Sequence, residues 1–245
     1  MFTMEDWISL AKSSARLQGD LGKVHRWVRP EEVIIAPAVT LSNGQPRRPQ
    51  HVCQHLVEAQ ELCDLLIHIL TPYLVERGLH LDYELLRRAV RVHDFGEGVH
   101  APLGRDMLLG QKIDGHDKAE YDYFVAYLAD NSPGLIEWQQ MMCRAFLLQF
   151  CLNGNALLPQ EILTDLKSNK RMEALLFNAI ERWGYFIYAL EQYLCFSSPI
   201  FLLDVFGRNT SHYDSLAAEL PGFAEEIWTA EVRAWRLNFL SQHGQ

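Results

Sequence analysis

The sequence predicts an all-α protein folded as a helical bundle. Apolar residues recur at intervals of three and four along several segments, as they do on one face of an amphipathic helix. The clearest run lies in 50–77, where the apolar positions are Val52, Leu56, Ala59, Leu62 and Leu66. One stretch, 33–48, instead combines β-branched residues with a turn-like Ser-Asn-Gly-Gln-Pro run, which predicts a short extended or hairpin segment.

Capping residues and apolar spacing place the helices in chain order. Asp82 is typical of an N-cap, and it precedes the helix that leads to His93 and Asp94. Pro72 is expected to end or kink the helix before it. The predicted helices are 4–17, 50–77, 82–94, 118–129, 134–151, 159–166, 171–196 and 222–240. We expect a single domain over 1–245, in which 198–245 could form a C-terminal helical appendage.

The composition is that of a soluble globular protein. Of the 245 residues, 49% are apolar and 22% are charged, which is enough for one sizeable core. No apolar run approaches the ~18–20 residues of a membrane helix, and no secretory signal is recognisable, so we expect no membrane partner. The odd number of cysteines, five, without C-x-x-C spacing favours reduced, buried thiols and a cytoplasmic location.

The net charge limits the partners. A charge of −9 argues against duplex nucleic acid. The few clustered arginines, Arg26, Arg29, Arg47 and Arg48, could instead meet one small phosphorylated molecule. Exposed apolar helix faces could support a homodimer.

The adjacent pair His93-Asp94 is the most informative feature of the chain. A carboxylate in an apolar helix is costly unless a cation compensates it, and imidazole and carboxylate are both ligands for divalent metals. Glu97 lies three residues after Asp94 and four after His93, so these side chains would share a helix face. The alternative is a surface His-Asp pair at a helix end, where Gly96 and Gly98 begin a loop.

Two neighbouring motifs are weaker evidence for a function than the His93-Asp94 pair. His51 and His55 have the spacing of a zinc-protease helix, but the glutamate that such a helix needs is missing. The stretch 96–101 matches the G-x-G-x-x-A dinucleotide fingerprint, but Pro102 and Gly104 interrupt the helix that should follow.

A second His-Asp pair, His116-Asp117, is also a candidate for the ligand pair. It lies at the polar start of a predicted helix, where Asp114 or Asp117 is better explained as a cap.

Three separated segments resemble the HD-domain metal-dependent phosphohydrolases, an all-α superfamily, and above all its branch of bacterial 5′-deoxynucleotidases. Residues 49–55, Pro-Gln-His-Val-Cys-Gln-His, are similar to the branch's P-x-x-V-A-x-H segment, and 93–97 match its H-D-x-x-E motif. Arg26-Trp27 resembles an Arg-Trp pair that contacts substrate. The resemblance extends from Arg26 to about Glu191.

The resemblance implies hydrolysis of a phosphate monoester such as a nucleoside monophosphate. It implies one divalent ion (Mn, Co, Fe, Zn or Mg) held by His55, His93, Asp94 and Glu181. Glu97 would position or deprotonate the attacking water, and Asp94 would take part in catalysis as a ligand. The implied substrate-binding residues are Arg26, Trp27 and Asp106.

Two departures from the family pattern affect this interpretation. Glu181 stands where an aspartate ligand is expected, and Asp165 is an alternative fourth ligand. The branch's Thr-Gly-Asp turn is replaced by a segment in which Asp106 alone could serve. These departures leave open a non-catalytic HD-type domain that senses a nucleotide or scaffolds a partner. A purely structural helical protein is a third interpretation.

Overall fold

The computed structural model describes residues 3–26, 50–105 and 114–244, and within them the chain is about 80% helical with no β-strand. The predicted all-α fold is confirmed. The described α-helices are α1 (Met4–Leu21), α2 (Val52–Glu76), α3 (Tyr83–Val92), α4 (Asp114–Asn131), α5 (Ile136–Leu147), α6 (Gln160–Asn169), α7 (Arg171–Phe196), α8 (Ile200–Glu219), α9 (Phe223–Glu226) and α10 (Ala230–His243). Two 3₁₀ helices span Phe95–Leu103 and Leu148–Phe150. The predicted hairpin at 33–48 lies outside the described residues.

Capping side chains set several of the helix starts. As predicted, Asp82 caps α3, because its Oδ1 accepts a hydrogen bond of 2.9 Å from the Leu85 amide. His51 caps α2 in the same way through Nδ1, which accepts from the Gln54 amide. Thr229 caps α10 through its hydroxyl and so divides the predicted helix 222–240 into α9 and α10.

The helix α2 agrees with the predicted range 50–77 to within two residues, and Pro72, which was expected to end or kink it, does not end it. A proline leaves one carbonyl of the preceding turn without its amide partner, and here that carbonyl belongs to the exposed residue His68. The helix α8 was not among the predicted helices, although it is 20 residues long.

A hydrophobic core joins α2, α3, α4 and α5 to α7, α8 and α9. Residues after 198 belong to this core. Tyr213 on α8 and Trp228 after α9 are fully buried, and the rings of both lie within 6.4 Å of the Trp183 ring on α7. A second, smaller cluster packs the end of α1 on the start of α2, and its members are Leu17, Leu21, Val24, Val52 and Leu56.

Three backbone segments meet beside the start of α2. The Arg26 amide donates to the Gln50 carbonyl at 2.8 Å, and the Val52 amide donates to the Val24 carbonyl at 3.1 Å. The His25 amide donates to the Gly104 carbonyl at 3.3 Å. These bonds fix the backbone of Arg26 relative to α2 and to the end of the first 3₁₀ helix.

The first 3₁₀ helix packs closely on α4, and its glycines allow that approach. A Cβ at Gly96 would lie 2.5–2.7 Å from the backbone and Cβ of Glu120, and one at Gly98 would lie 2.6–2.7 Å from the Tyr123 ring. Helix packing therefore accounts for the two glycines of the dinucleotide-like stretch 96–101.

All five cysteines are free thiols, but only Cys63 and Cys151 are buried, and Cys195 is exposed.

Within the described ranges, none of the helices combines the length and apolar character that crossing a membrane requires.

We expect Gly96→Ala to destabilise the protein by about 1–3 kcal/mol, since the new methyl group would force α4 away from the 3₁₀ helix. Gly19→Ala is the matched control, because Gly19 is exposed within α1 and a Cβ there meets nothing within 4 Å. The control should gain roughly 0.5–1 kcal/mol. Urea unfolding monitored by circular dichroism measures both free energies, and equal effects would refute the packing explanation.

Candidate metal centre

Two histidines and a glutamate from three segments of the chain meet inside the bundle. His55 lies in the first turn of α2, His93 directly follows α3, and Glu181 lies near the middle of α7. One ligand atom from each of the three lies within 4.8 Å of the others. Both histidines are buried, and the Glu181 side chain is 12% exposed. This group could hold a metal ion.

Asp94 contributes a further carboxylate to the same place. Its Oδ2 lies 3.3 Å from His93 Nε2 and 3.6 Å from His55 Nε2. The Arg26 Nη1 atom donates to this oxygen at 2.6 Å in a buried ion pair. The structure therefore brings together all four predicted ligands and one predicted substrate-binding residue.

The distances between ligand atoms fit a shared ion. Atoms that share an ion at about 2.1 Å lie about 3.0 Å apart in adjacent octahedral positions and about 3.4 Å apart in a tetrahedron. His93 Nε2 lies 3.0 Å from Glu181 Oε1 and 3.3 Å from His55 Nε2, and His55 Nε2 lies 3.5 Å from Glu181 Oε1. Asp94 Oδ2 lies 3.3–3.6 Å from the two histidine nitrogens, whereas the group whose ligand atoms all lie within 4.8 Å of one another consists of His55, His93 and Glu181.

The hydrogen-bonding state of two ligands also fits a cation. Glu181 Oε1 is buried and faces the two imidazoles, with His93 Nε2 at 3.0 Å and His55 Nε2 at 3.5 Å. His93 Nδ1 lies 2.8 Å from the Val90 carbonyl oxygen, which can only accept. In neutral His93 the proton therefore belongs on Nδ1, and Nε2 presents its lone pair to the cluster.

The orientation of His93 is fixed from several sides. Its backbone carbonyl accepts a hydrogen bond of 2.9 Å from Gln149 Nε2, and its ring packs edge-on against Phe177, with the ring centroids 5.4 Å apart. With the Nδ1 contact to Val90, these interactions hold the imidazole in one position. A pre-oriented ligand loses little conformational freedom when it binds an ion.

Electrostatics within the cluster shift the pKa of each group. Burial alone would lower the pKa of His93, but the Asp94 and Glu181 carboxylates raise it to about 10. Burial opposes ionisation of both acids, yet the charge on His93 holds the pKa of Asp94 and of Glu181 below its usual range. Burial and the Arg26 guanidinium lower the pKa of His55. Without an ion, a proton on His93 therefore compensates the carboxylates.

Glu97 is buried, but it is placed differently from the regular helix that its spacing predicted. The α-helix ends at Val92, and the Glu97 amide donates to the Asp94 carbonyl at 3.0 Å in a 3₁₀ turn. Residues three apart eclipse one another in such a turn, so Asp94 and Glu97 share a face. The alternative of a surface His-Asp pair is wrong, since His93, Asp94 and Glu97 are each at most 7% exposed.

The structure separates the other candidates from the cluster. Asp165, the alternative fourth ligand, forms an ion pair with Arg144, and its side chain is 44% exposed. His51 is occupied as the cap of α2. Asp117 accepts a hydrogen bond of 2.9 Å from Asn155 and is not among the grouped ligands. Trp27 and Asp106, the two other predicted substrate contacts, lie outside the described residues.

Sequence reasoning missed Tyr185 and Gln149. Tyr185 lies on the aromatic-rich helix α7, and its hydroxyl lies 3.5 Å from Glu181 Oε2 while its ring faces Arg26. The spacing of four residues between Glu181 and Tyr185 was an available signal, since such residues are neighbours on a helix. No comparable signal identifies Gln149, which reaches His93 only through the tertiary fold.

Comparisons of this chain with protein-family models, with curated proteins and with solved structures gave no significant match.

We expect metal binding to depend steeply on pH. An ion can bind His93 only after displacing the proton that the carboxylates hold there, so the apparent affinity for Mn²⁺ should rise about tenfold per pH unit between pH 7 and 9. Calorimetric titration in buffers of different ionisation enthalpy should detect about one proton released per ion at pH 8. Binding without proton release would show that His93 is not a ligand.

Proposed function

We propose that this chain is a metal-dependent phosphomonoester hydrolase acting on a nucleoside monophosphate or a similar small phosphorylated metabolite. The observation that carries the proposal is the buried group His55, His93 and Glu181, which could hold one ion. Asp94 lies within 3.6 Å of both histidines and forms an ion pair with Arg26. The motif resemblance supplies the reaction class, and the donor set is compatible with it.

Two positive groups of the site could meet an anionic substrate. With neutral imidazoles, a divalent ion and the Arg26 guanidinium would be balanced by the carboxylates of Asp94, Glu181 and Glu97. A phosphate monoester would therefore be held by direct contact with the ion and with Arg26 and not by an excess of positive charge. The fork of Arg26 is suited to phosphate oxygens, and its contact with Asp94 holds it at the edge of the ligand cluster.

Each residue of the site would have a separate role in the hydrolysis. A divalent ion, when bound, would polarise the phosphoryl group and make a water molecule acidic near neutral pH. Glu97 would accept the proton of the attacking water, since it shares a face with Asp94. Arg26 would orient the phosphate. His55, His93, Asp94 and Glu181 would keep the ion in place.

The donor set narrows the choice of metal. It combines two imidazole nitrogens with carboxylate oxygens and contains no thiolate. Such a set suits Mn, Co, Fe or Zn, whereas Mg prefers oxygen ligands and retains its waters. Mn²⁺ and Co²⁺ are therefore the first metals to test.

One observation favours a second candidate, a nucleotide-sensing or scaffolding domain without turnover. Arg26 is already paired with Asp94, so a phosphate would have to compete with a ligand carboxylate for the guanidinium. Tight binding of a nucleotide with no hydrolysis would be consistent with that competition and with glutamate in the place of aspartate.

The decisive test is phosphate release from a panel of nucleoside monophosphates with added Mn²⁺ or Co²⁺. We expect Asp94→Asn to lower kcat/KM at least about 100-fold, because it removes a ligand charge at nearly constant shape. Asp64→Asn is the control, since Asp64 is exposed and pairs with Arg87 on the surface. Equal activity in all three proteins would indicate a contaminant. Bound metal without turnover in the wild type would support a nucleotide-sensing domain. Absence of bound metal would support a purely structural helical bundle.

Glu97→Gln tests the assignment of the base. We expect kcat to fall by about 10²–10⁴-fold, since the amide cannot accept the proton, while the Kd for Mn²⁺ stays within about twofold. Glu61→Gln on the exposed face of α2 controls for the loss of one acidic charge. A parallel loss of metal affinity in Glu97→Gln would make Glu97 a ligand and contradict its role as base.

A further inference from the structure

We infer that Tyr185 is a positioning residue of this site, which holds Glu181 through its hydroxyl and the Arg26 guanidinium through its ring. The inference rests on the proposed metal-dependent function. It assigns to Tyr185 the relative placement of the acidic ligand and the phosphate-binding cation, two groups that come from distant parts of the chain.

The two oxygens of Glu181 have different neighbours. The Tyr185 hydroxyl lies one helical turn away on α7 and donates to Oε2 at 3.5 Å. The other oxygen, Oε1, faces His93 Nε2 at 3.0 Å and His55 Nε2 at 3.5 Å. The contact with Tyr185 therefore leaves Oε1 as the oxygen directed at the cluster.

The ring of Tyr185 contacts the Arg26 guanidinium. The guanidinium carbon of Arg26 lies 5.7 Å from the ring centroid, within the range of a cation–π interaction. The same guanidinium donates to Asp94 at 2.6 Å. Tyr185 thus contacts both Glu181 and the cation that pairs with Asp94, so it links the two acidic residues.

Glu181 needs a hydrogen-bond donor beside it, and a tyrosine supplies one. Glutamate has one more rotatable bond than aspartate, so its carboxylate needs an external contact to select one orientation. The Tyr185 hydroxyl supplies such a contact, because a phenol carries one O–H donor.

The test compares Tyr185→Phe with Tyr193→Phe in the full-length protein. Both variants lose one hydroxyl from α7, but the hydroxyl of Tyr193 faces His243 instead of the site. We expect Tyr185→Phe to raise the Kd for Mn²⁺ about tenfold, as loss of a group that orients a ligand does. Tyr193→Phe should stay within about twofold of the wild type. Calorimetric titration with Mn²⁺ reads this out independently of activity.

A double-mutant comparison shows whether the effect passes through Glu181. In a Glu181→Asp background the shorter carboxylate should no longer meet the hydroxyl, so adding Tyr185→Phe should change the Kd for Mn²⁺ by less than about twofold. The same tenfold loss in both backgrounds would overturn the inference. Retention of the ring predicts that Tyr185→Phe leaves the Kd for inorganic phosphate, measured on the Mn²⁺-loaded protein, within about twofold. A tenfold loss there would overturn the role of the ring.

Failure of this inference differs from failure of the proposed function. Mn²⁺ binding that is equal in the wild type and in Tyr185→Phe overturns the role of Tyr185 alone and leaves the metal site in place. A wild-type protein that binds no Mn²⁺ overturns both.

Discussion

Asp94 and Glu181 are carboxylates enclosed among helices, and positive charge must stay beside them for the fold to persist. Arg26 supplies one fixed charge through its buried ion pair with Asp94. The second charge can be a proton on His93 or an ion shared with His55, because the distances allow either. Removing one member of such a cluster would leave a buried charge uncompensated, which is far more costly than losing a surface ion pair. The site and the stability of the bundle centre therefore depend on the same electrostatic balance.

The helical scaffold gives this balance its geometry. His55 and Glu181 are carried by the two long helices α2 and α7, which pack on each other in the core. His93 and Asp94 instead occupy the change from α-helix to 3₁₀ helix after Val92. In a continuous α-helix, neighbouring residues diverge by about 100° around the axis. At this transition, Oδ2 of Asp94 lies 3.3 Å from Nε2 of His93. The irregular backbone therefore lets these adjacent side chains approach the same place.

Much of the site could be predicted because motif spacing reports on chemistry. The roles of His55, His93 and Glu181 were implied by the motif resemblance, and Asp82 was identified from its capping chemistry. The helix α8 was missed because polar Asn209, Thr210, Ser211 and His212 interrupt its apolar pattern, although Asn209 is buried against Arg182. The role of Tyr185 was not predicted, because a sequence shows that a residue is aromatic but not that its ring faces a cation from a distant segment, here Arg26. Contacts between remote segments, such as Arg26 with Asp94, depend on tertiary packing that local pattern does not encode.

The backbone hydrogen bond between Arg26 and Gln50 affects how freely the number of residues between them can change. Residues 26 and 50 are joined by a 2.8 Å hydrogen bond, and Val24 and Val52 are joined beside them, so the ends of the intervening stretch are clamped together. The entropy of closing a loop grows only with the logarithm of its length. A change in the number of residues between these two ends would therefore alter the entropy of closure only slightly. The hydrogen bond at residue 50 would still hold the Arg26 backbone beside α2.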